Sequence, residues 1–182
     1  EVMPTYYDTF TDAGAYYYGT WEGVNIFTTY LLTGQTRIDN GVISGIGTAL
    51  VVDLNSEVRL DATIKPGVYG PARNEKESGA FLRGMFGEDD KISGTYVYYR
   101  SLNGRAEYRL IKNGEININL DGKKARISAT VIDEDGVTFR FDYQGWFGYT
   151  DVVPDEPDEP EQTDFDCSNV EEDLITIDEI FR

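Results

Sequence analysis

The side chains best suited to chemistry in this 182-residue chain are aromatic. Tyr16, Tyr17, Tyr18 and Trp21 cluster near the start, Tyr96, Tyr98 and Tyr99 crowd one segment, and Trp146, Phe147 and Tyr149 close another. Tyrosine and tryptophan present flat apolar faces with polar edges, which suit stacking on sugars or burial against a protein partner. Consecutive tyrosines on a strand point to opposite sides, so some must face solvent or a cleft. Tyr16, Tyr18, Trp21, Tyr96, Tyr98 and Trp146 are the expected ligand-binding residues. The competing explanation is that the same residues simply favour strands and pack at sheet edges.

Catalytic chemistry is poorly provided for. The chain has no histidine. That removes Ser-His-Asp and Cys-His triads, His-bearing zinc sites and the usual near-neutral general base. No phosphate-binding loop, dinucleotide fingerprint or Gly-x-Ser-x-Gly elbow appears, so neither a cofactor nor an enzymatic role is expected. Carboxylates remain, and a pair of them can cleave a glycosidic bond. Asp53, Asp61, Glu107, Glu115 and Asp142 are candidates of the right type, although solvated faces and ion pairs account for such residues better, since their spacing gives no pairing. Glu88-Asp89-Asp90 and Asp133-Glu134-Asp135-Gly136 invite a calcium reading, but neither carries the full ligand set of a calcium loop, and no metal site is expected. The single cysteine, Cys167, can form no disulfide within the chain.

The elements that would hold these residues are strands. Apolar side chains alternate at Val137, Phe139, Phe141 and Tyr143, at Ile116, Ile118 and Leu120, and at Ala125, Ile127, Ala129 and Val131. This is the pattern of antiparallel strands with one dry and one wet face. Asn103-Gly104, Asn113-Gly114, Asp121-Gly122 and Asp135-Gly136 punctuate them with the dipeptides that tight hairpins favour. The spacing predicts a meander over 94–151. Earlier, 15–19 and 24–32 read as strands, and 58–64 alternates weakly. The apolar run over 48–54 implies a central strand covered on both faces. Residues 79–85 are expected to pair with 93–100 across the charged turn at Gly87-Glu88-Asp89-Asp90. The predicted fold is all-β: an antiparallel β-sandwich, or a meander closing toward a barrel, with an extended acidic tail and a short terminal helix.

The charge of −17 concentrates in that tail, since residues 151–182 hold 13 of the 33 acids and one of the 16 bases. Three domains of behaviour follow: an all-β domain over 1–152, a Pro-spaced acidic linker over 153–163, and a C-terminal segment over 164–182. In the last, Ser168-Asn169-Val170-Glu171 resembles a capping box and leads into the amphipathic row Val170, Leu174, Ile177 and Phe181. An acidic chain without clustered bases argues against nucleic acid and anionic lipid as partners. No apolar run approaches the ~20 residues of a membrane-crossing helix, so an integral membrane chain is not expected. No pattern specifies an oligomer.

Several phrases carry a likeness. They are Tyr16-Tyr17-Tyr18-Gly19, Gly45-Ile46-Gly47-Thr48 with Val51-Val52-Asp53-Leu54, Ile64-Lys65-Pro66-Gly67-Val68-Tyr69, Ser93-Gly94-Thr95-Tyr96, Gly114-Glu115-Ile116-Asn117-Ile118, Phe141-Asp142-Tyr143-Gln144-Gly145 and Tyr149-Thr150-Asp151. Together, over about residues 10–152, the chain resembles the all-β domains of surface-exposed lipoproteins of the Bacteroidetes. The resemblance implies a secreted or outer-membrane-anchored module, lipid-anchored in its precursor, and carries over no functional residue. Gly19-Thr20-Trp21 also resembles the Gly-x-Trp near the start of lipocalin-like barrels. The functional expectation is therefore a non-catalytic cell-surface module that binds a glycan or another surface protein. A barrel carrying a small apolar ligand is the first alternative and a carboxylate glycosidase the second.

Overall fold

A computed structural model describes residues 5–152; the expected linker over 153–163 and helix within 164–182 lie outside the described residues. Among the described residues there are fourteen strands and no helix. They are β1 (Thr5–Thr9), β2 (Asp12–Trp21), β3 (Val24–Leu32), β4 (Gln35–Asp39), β5 (Val42–Glu57), β6 (Gly67–Pro71), β7 (Ala80–Phe81), β8 (Met85–Phe86), β9 (Ile92–Ser93), β10 (Tyr96–Arg100), β11 (Glu107–Asp121), β12 (Lys124–Asp133), β13 (Thr138–Trp146) and β14 (Gly148–Asp151).

The fold is all-β as expected, and of the two expected architectures the barrel is the one present, with further strands added to it. Strands β5, β10, β11, β6 and β7 pair in sequence and return to β5, closing a five-stranded barrel. Two wings leave this ring. From β11 the sheet continues through β12 and β13 to β1, and from β5 it continues through β3 and β2 to β14. The wings pack their apolar faces together. Phe27, Leu31, Leu50, Val52 and Leu54 from one side meet Ile116, Ile118, Ile127, Val131, Phe139, Phe141 and Tyr143 from the other in a single core. The period-two rows of β12 and β13 thus point inward as their alternation requires.

β5 is the hinge of the arrangement. Ala49, Leu50, Val51 and Val52 are all buried in succession, because its two faces look into different cores. Leu50, Val52 and Leu54 face the main core, whereas Ala49 and Val51 face a second cluster with Leu32, Ile43, Tyr96, Tyr98 and Leu110. That second cluster lies on the outside of the β3–β5–β10 surface. It is roofed by the β4–β5 hairpin, whose Ile38 packs against it. The hairpin turns at Asn40 and Gly41, with φ of 47° and 78°, the left-handed pair that a two-residue turn demands.

Three expectations need correction. Asn113-Gly114 is not a hairpin turn. It lies within the fifteen-residue β11, where the register with β12 shifts between Ile111 and Asn113. Gly114 takes φ 118°, and a Cβ there would meet the Thr130 carbonyl oxygen at 2.2 Å. The bulge lets β11 pair with β10 at its start and with β6 and β12 farther on, so one strand serves both the ring and the wing that leaves it. Residues 58–64 form no strand: Asp61 accepts from the amide and hydroxyl of Thr63, and Ala62 adopts φ 52°. The 79–85 and 93–100 pairing reduces to the short β8–β9 ladder and one isolated bridge between Arg83 and Thr95, because β7 is taken by β5 and β6.

Candidate functional site

The six tyrosines and tryptophans singled out in the sequence do not gather into one surface. None of the close aromatic pairs among the described residues joins two of them. Tyr96 and Tyr98 are buried in the second core, so the expectation that they meet a ligand is corrected. Tyr98 is 1% exposed and spends its hydroxyl on the Gly45 carbonyl. Tyr96 sits deeply enough that burial pushes its phenol up to about 12. Both rings lean on Tyr108, at centroid distances of 6.0 and 5.5 Å. Tyr16 packs on Tyr30 at 5.6 Å, and burial raises both phenols. Tyr18, Trp21 and Trp146 are exposed. Each tryptophan, however, already carries a cation: Lys76 lies 5.7 Å from the Trp21 ring and Lys123 lies 5.3 Å from the Trp146 ring.

The carboxylates are equally dispersed. Asp53 is half-buried near Tyr96, where desolvation raises its carboxyl against the pull of two hydrogen bonds, from the Thr28 hydroxyl and the Gly94 amide. Asp142 accepts from Ser128 on the outer face of β13. Glu115 is exposed on β11. In the second acidic cluster, Asp133 is half occupied with local structure. One of its oxygens accepts from the amides of Asp135 and Val137, closing the β12–β13 turn.

One concave feature lies at one end of the main core; a second, wider one of about 610 Å³ lies over residues 119–121 and 124–126 and is lined mostly by polar side chains. At the first, β1 and β13 stand across from β10 and the start of β11, enclosing a cleft of about 380 Å³. That volume falls in the ~300–1,000 Å³ range of small-ligand sites. Its floor is one end of the core: Val97, Val137, Phe139 and Phe141. Its rim is Tyr6, Tyr7, Asp8, Tyr99, Glu107 and Arg109.

Each rim residue has a local cause. β1 runs parallel to β13, placing Tyr6 opposite Phe139 and Tyr7 opposite Arg140. Tyr6 accordingly stacks on Phe139 at 5.4 Å, and Tyr7 meets the Arg140 guanidinium at 5.7 Å. Tyr99 follows the buried Tyr98 on β10, so the pleat turns it to the Val97 face beside the cleft, where it is 47% exposed. Tyr99 pairs with Glu107 across the β10–β11 ladder, bringing ring and carboxylate to the same part of the rim. Arg109 is tethered by Asp135 at 3.3 Å and by the buried Asp133 at 3.9 Å.

Of the residues proposed from sequence, only Glu107 lines this cleft. Tyr6 and Tyr7 carried a usable signal, since two adjacent tyrosines on a strand place one ring on each face. Tyr99 carried the same signal beside Tyr98. The partnership of residues 5–9 with 138–142 had no signal at all.

Fold and cleft together define an all-β domain with a half-open, tyrosine-rimmed cavity at the end of its core. Comparison with protein-family models, with curated proteins and with solved structures finds no match to this chain.

Proposed function

We propose that this domain is a non-catalytic binding module of the cell surface, secreted or lipid-anchored, that takes a glycan or a segment of another surface protein in the cleft rimmed by Tyr6, Tyr7 and Tyr99. The observation that carries the reading is the placing of the exposed Tyr6 and Tyr99 beside an apolar floor in a cavity of ligand size, with Tyr7 at its edge turned to Arg140. Exposed tyrosines supply contact area at small entropic cost and stack on sugar rings or peptide planes. The surface location is supported by the Tyr-, Gly- and Asn-rich composition and by the resemblance to Bacteroidetes lipoprotein domains. The test is a glycan array with pull-down from surface extracts, repeated on Tyr99→Ala. A captured ligand whose affinity falls at least tenfold in Tyr99→Ala, with melting unchanged, supports the reading. A flat array and an empty pull-down sink it.

A second reading, carriage of a small apolar ligand, is favoured by the floor itself, because Val97, Phe139 and Phe141 are core residues reached from outside. Displacement of a polarity-sensitive dye by small hydrophobes but not by sugars would select it.

A further inference from the structure

We infer that the ligand of this cleft carries an organic cation, an amine or guanidinium group on an apolar or sugar-like body. The inference rests on the reading of the cleft as the binding site and adds the charge of what binds there. Three features of the rim lead to it.

First, the uncompensated charge of the rim is negative. Asp8 and Glu107 both line the cleft, and among the described residues neither has an ion-pair partner. Second, Arg109, the one base among the lining residues, faces two carboxylates, Asp135 at 3.3 Å and Asp133 at 3.9 Å. Asp133 is wholly buried and has no other route to compensate its second oxygen. An anionic ligand seeking Arg109 would have to compete with that pair, and stripping the guanidinium would leave a buried charge unpaired. Third, the tyrosine rings offer the negative faces that attract cations. The molecule already uses its exposed aromatics in this way: Arg140 lies over Tyr7, Lys76 over Trp21 and Lys123 over Trp146. A ligand cation at Tyr6 or Tyr99 would extend the same pairing, with Asp8 and Glu107 beside it and its body on Val97, Phe139 and Phe141.

Matched probes test this by calorimetry on the full chain. One pair is 2-phenylethylamine and neutral 2-phenylethanol, with 3-phenylpropionate as the anion. The other is a glucosamine trimer and its fully N-acetylated counterpart. The amine of at least one pair is expected to bind at least tenfold more tightly than its neutral partner, with affinity falling as salt rises. Whichever pair shows the larger gap identifies an aryl- or alkylamine or an amino sugar as the source. The double variant Asp8→Asn/Glu107→Gln is expected to lose that tenfold for the amine and to leave the neutral probe unchanged. Its melting curve reports that it folds. Equal or tighter binding of the neutral or anionic members, or full retention by the double variant, overturns the inference. Neutral probes that bind and depend on Tyr99 would then leave the cleft reading standing without its charge preference. Failure of both amines to bind also overturns the inference, and the glycan array and pull-down decide the wider reading separately.

Discussion

The hydroxyl of Tyr98 donates to the carbonyl of Gly45 at 2.7 Å, linking β10 to a strand fifty-three residues earlier. This bond pins the roof formed by the β4–β5 hairpin onto the second core. A buried neutral hydrogen bond contributes about 1 kcal/mol. Tyr98→Phe should therefore cost about that much in urea unfolding, while Tyr98→Ala should cost about 3–5 kcal/mol from the cavity it leaves. Neither should alter ligand affinity at the cleft, because the ring faces the other core. Tyr99→Ala should give the opposite result, with weak effect on stability and a large effect on binding.

Gly114 is the second point at which a small change should have a large effect. A side chain there meets the Thr130 carbonyl and must adopt φ 118°. Gly114→Val should destabilise by about 2 kcal/mol or more, the order of a strained backbone position. At ~2–4 °C per kcal/mol for a chain of this size, calorimetry should show a fall of several degrees. Gly122→Ala, at the open β11–β12 turn with nothing within 4 Å, should cost less.

Asp53 predicts a pH dependence of definite sign. Its carboxyl is raised in the fold, chiefly by desolvation, so the native state holds a proton that the unfolded chain has already released. Between the ordinary aspartate value and the raised one, stability should therefore fall as pH rises, and above the raised value the full penalty remains. Asp53→Asn keeps partners for Thr28 and Gly94 and removes that penalty. Urea titrations should find the variant gaining on the wild type as pH rises from acid to neutral. A constant difference across the range would contradict the assignment.

Arg109→Ala should expose the cost of the buried Asp133, whose second oxygen has no hydrogen-bond partner and only this guanidinium nearby. An uncompensated buried acceptor costs about 1–3 kcal/mol, more when charged. The loss should shrink in Arg109→Ala/Asp133→Asn, a coupling that a double-mutant cycle measures directly.

Local pattern carried the fold as far as local pattern reaches. The rows Ile127, Ala129, Val131 and Phe139, Phe141, Tyr143 read as one-sided strands and are one-sided strands. The unbroken Ala49-Leu50-Val51-Val52 run read as a strand covered on both faces, and two cores cover it. Asn113-Gly114 misled because a bulge and a hairpin turn ask the same thing of the backbone, a residue at ease with positive φ. Asn40-Gly41, the same dipeptide and not among the turns read from the sequence, marks the hairpin that roofs Tyr96 and Tyr98. Those two rings could not be told from exposed ones, because alternation names the faces of a strand without saying that both will be covered. The cleft was invisible for a stronger reason: one of its walls exists only once β1 pairs with β13, a tertiary event.

That pairing has a consequence for how the molecule is made. β1 rests on residues 138–142 and β14 rests on β2, so the first and last strands each wait for a partner from the opposite end of the chain. During synthesis the opening segment has nowhere to settle until almost the whole domain has emerged. Contacts of such long sequence separation make for slow closure. Tyr6 and Tyr7 take their places only at that stage, so the binding cleft is finished by the same late event that completes the domain.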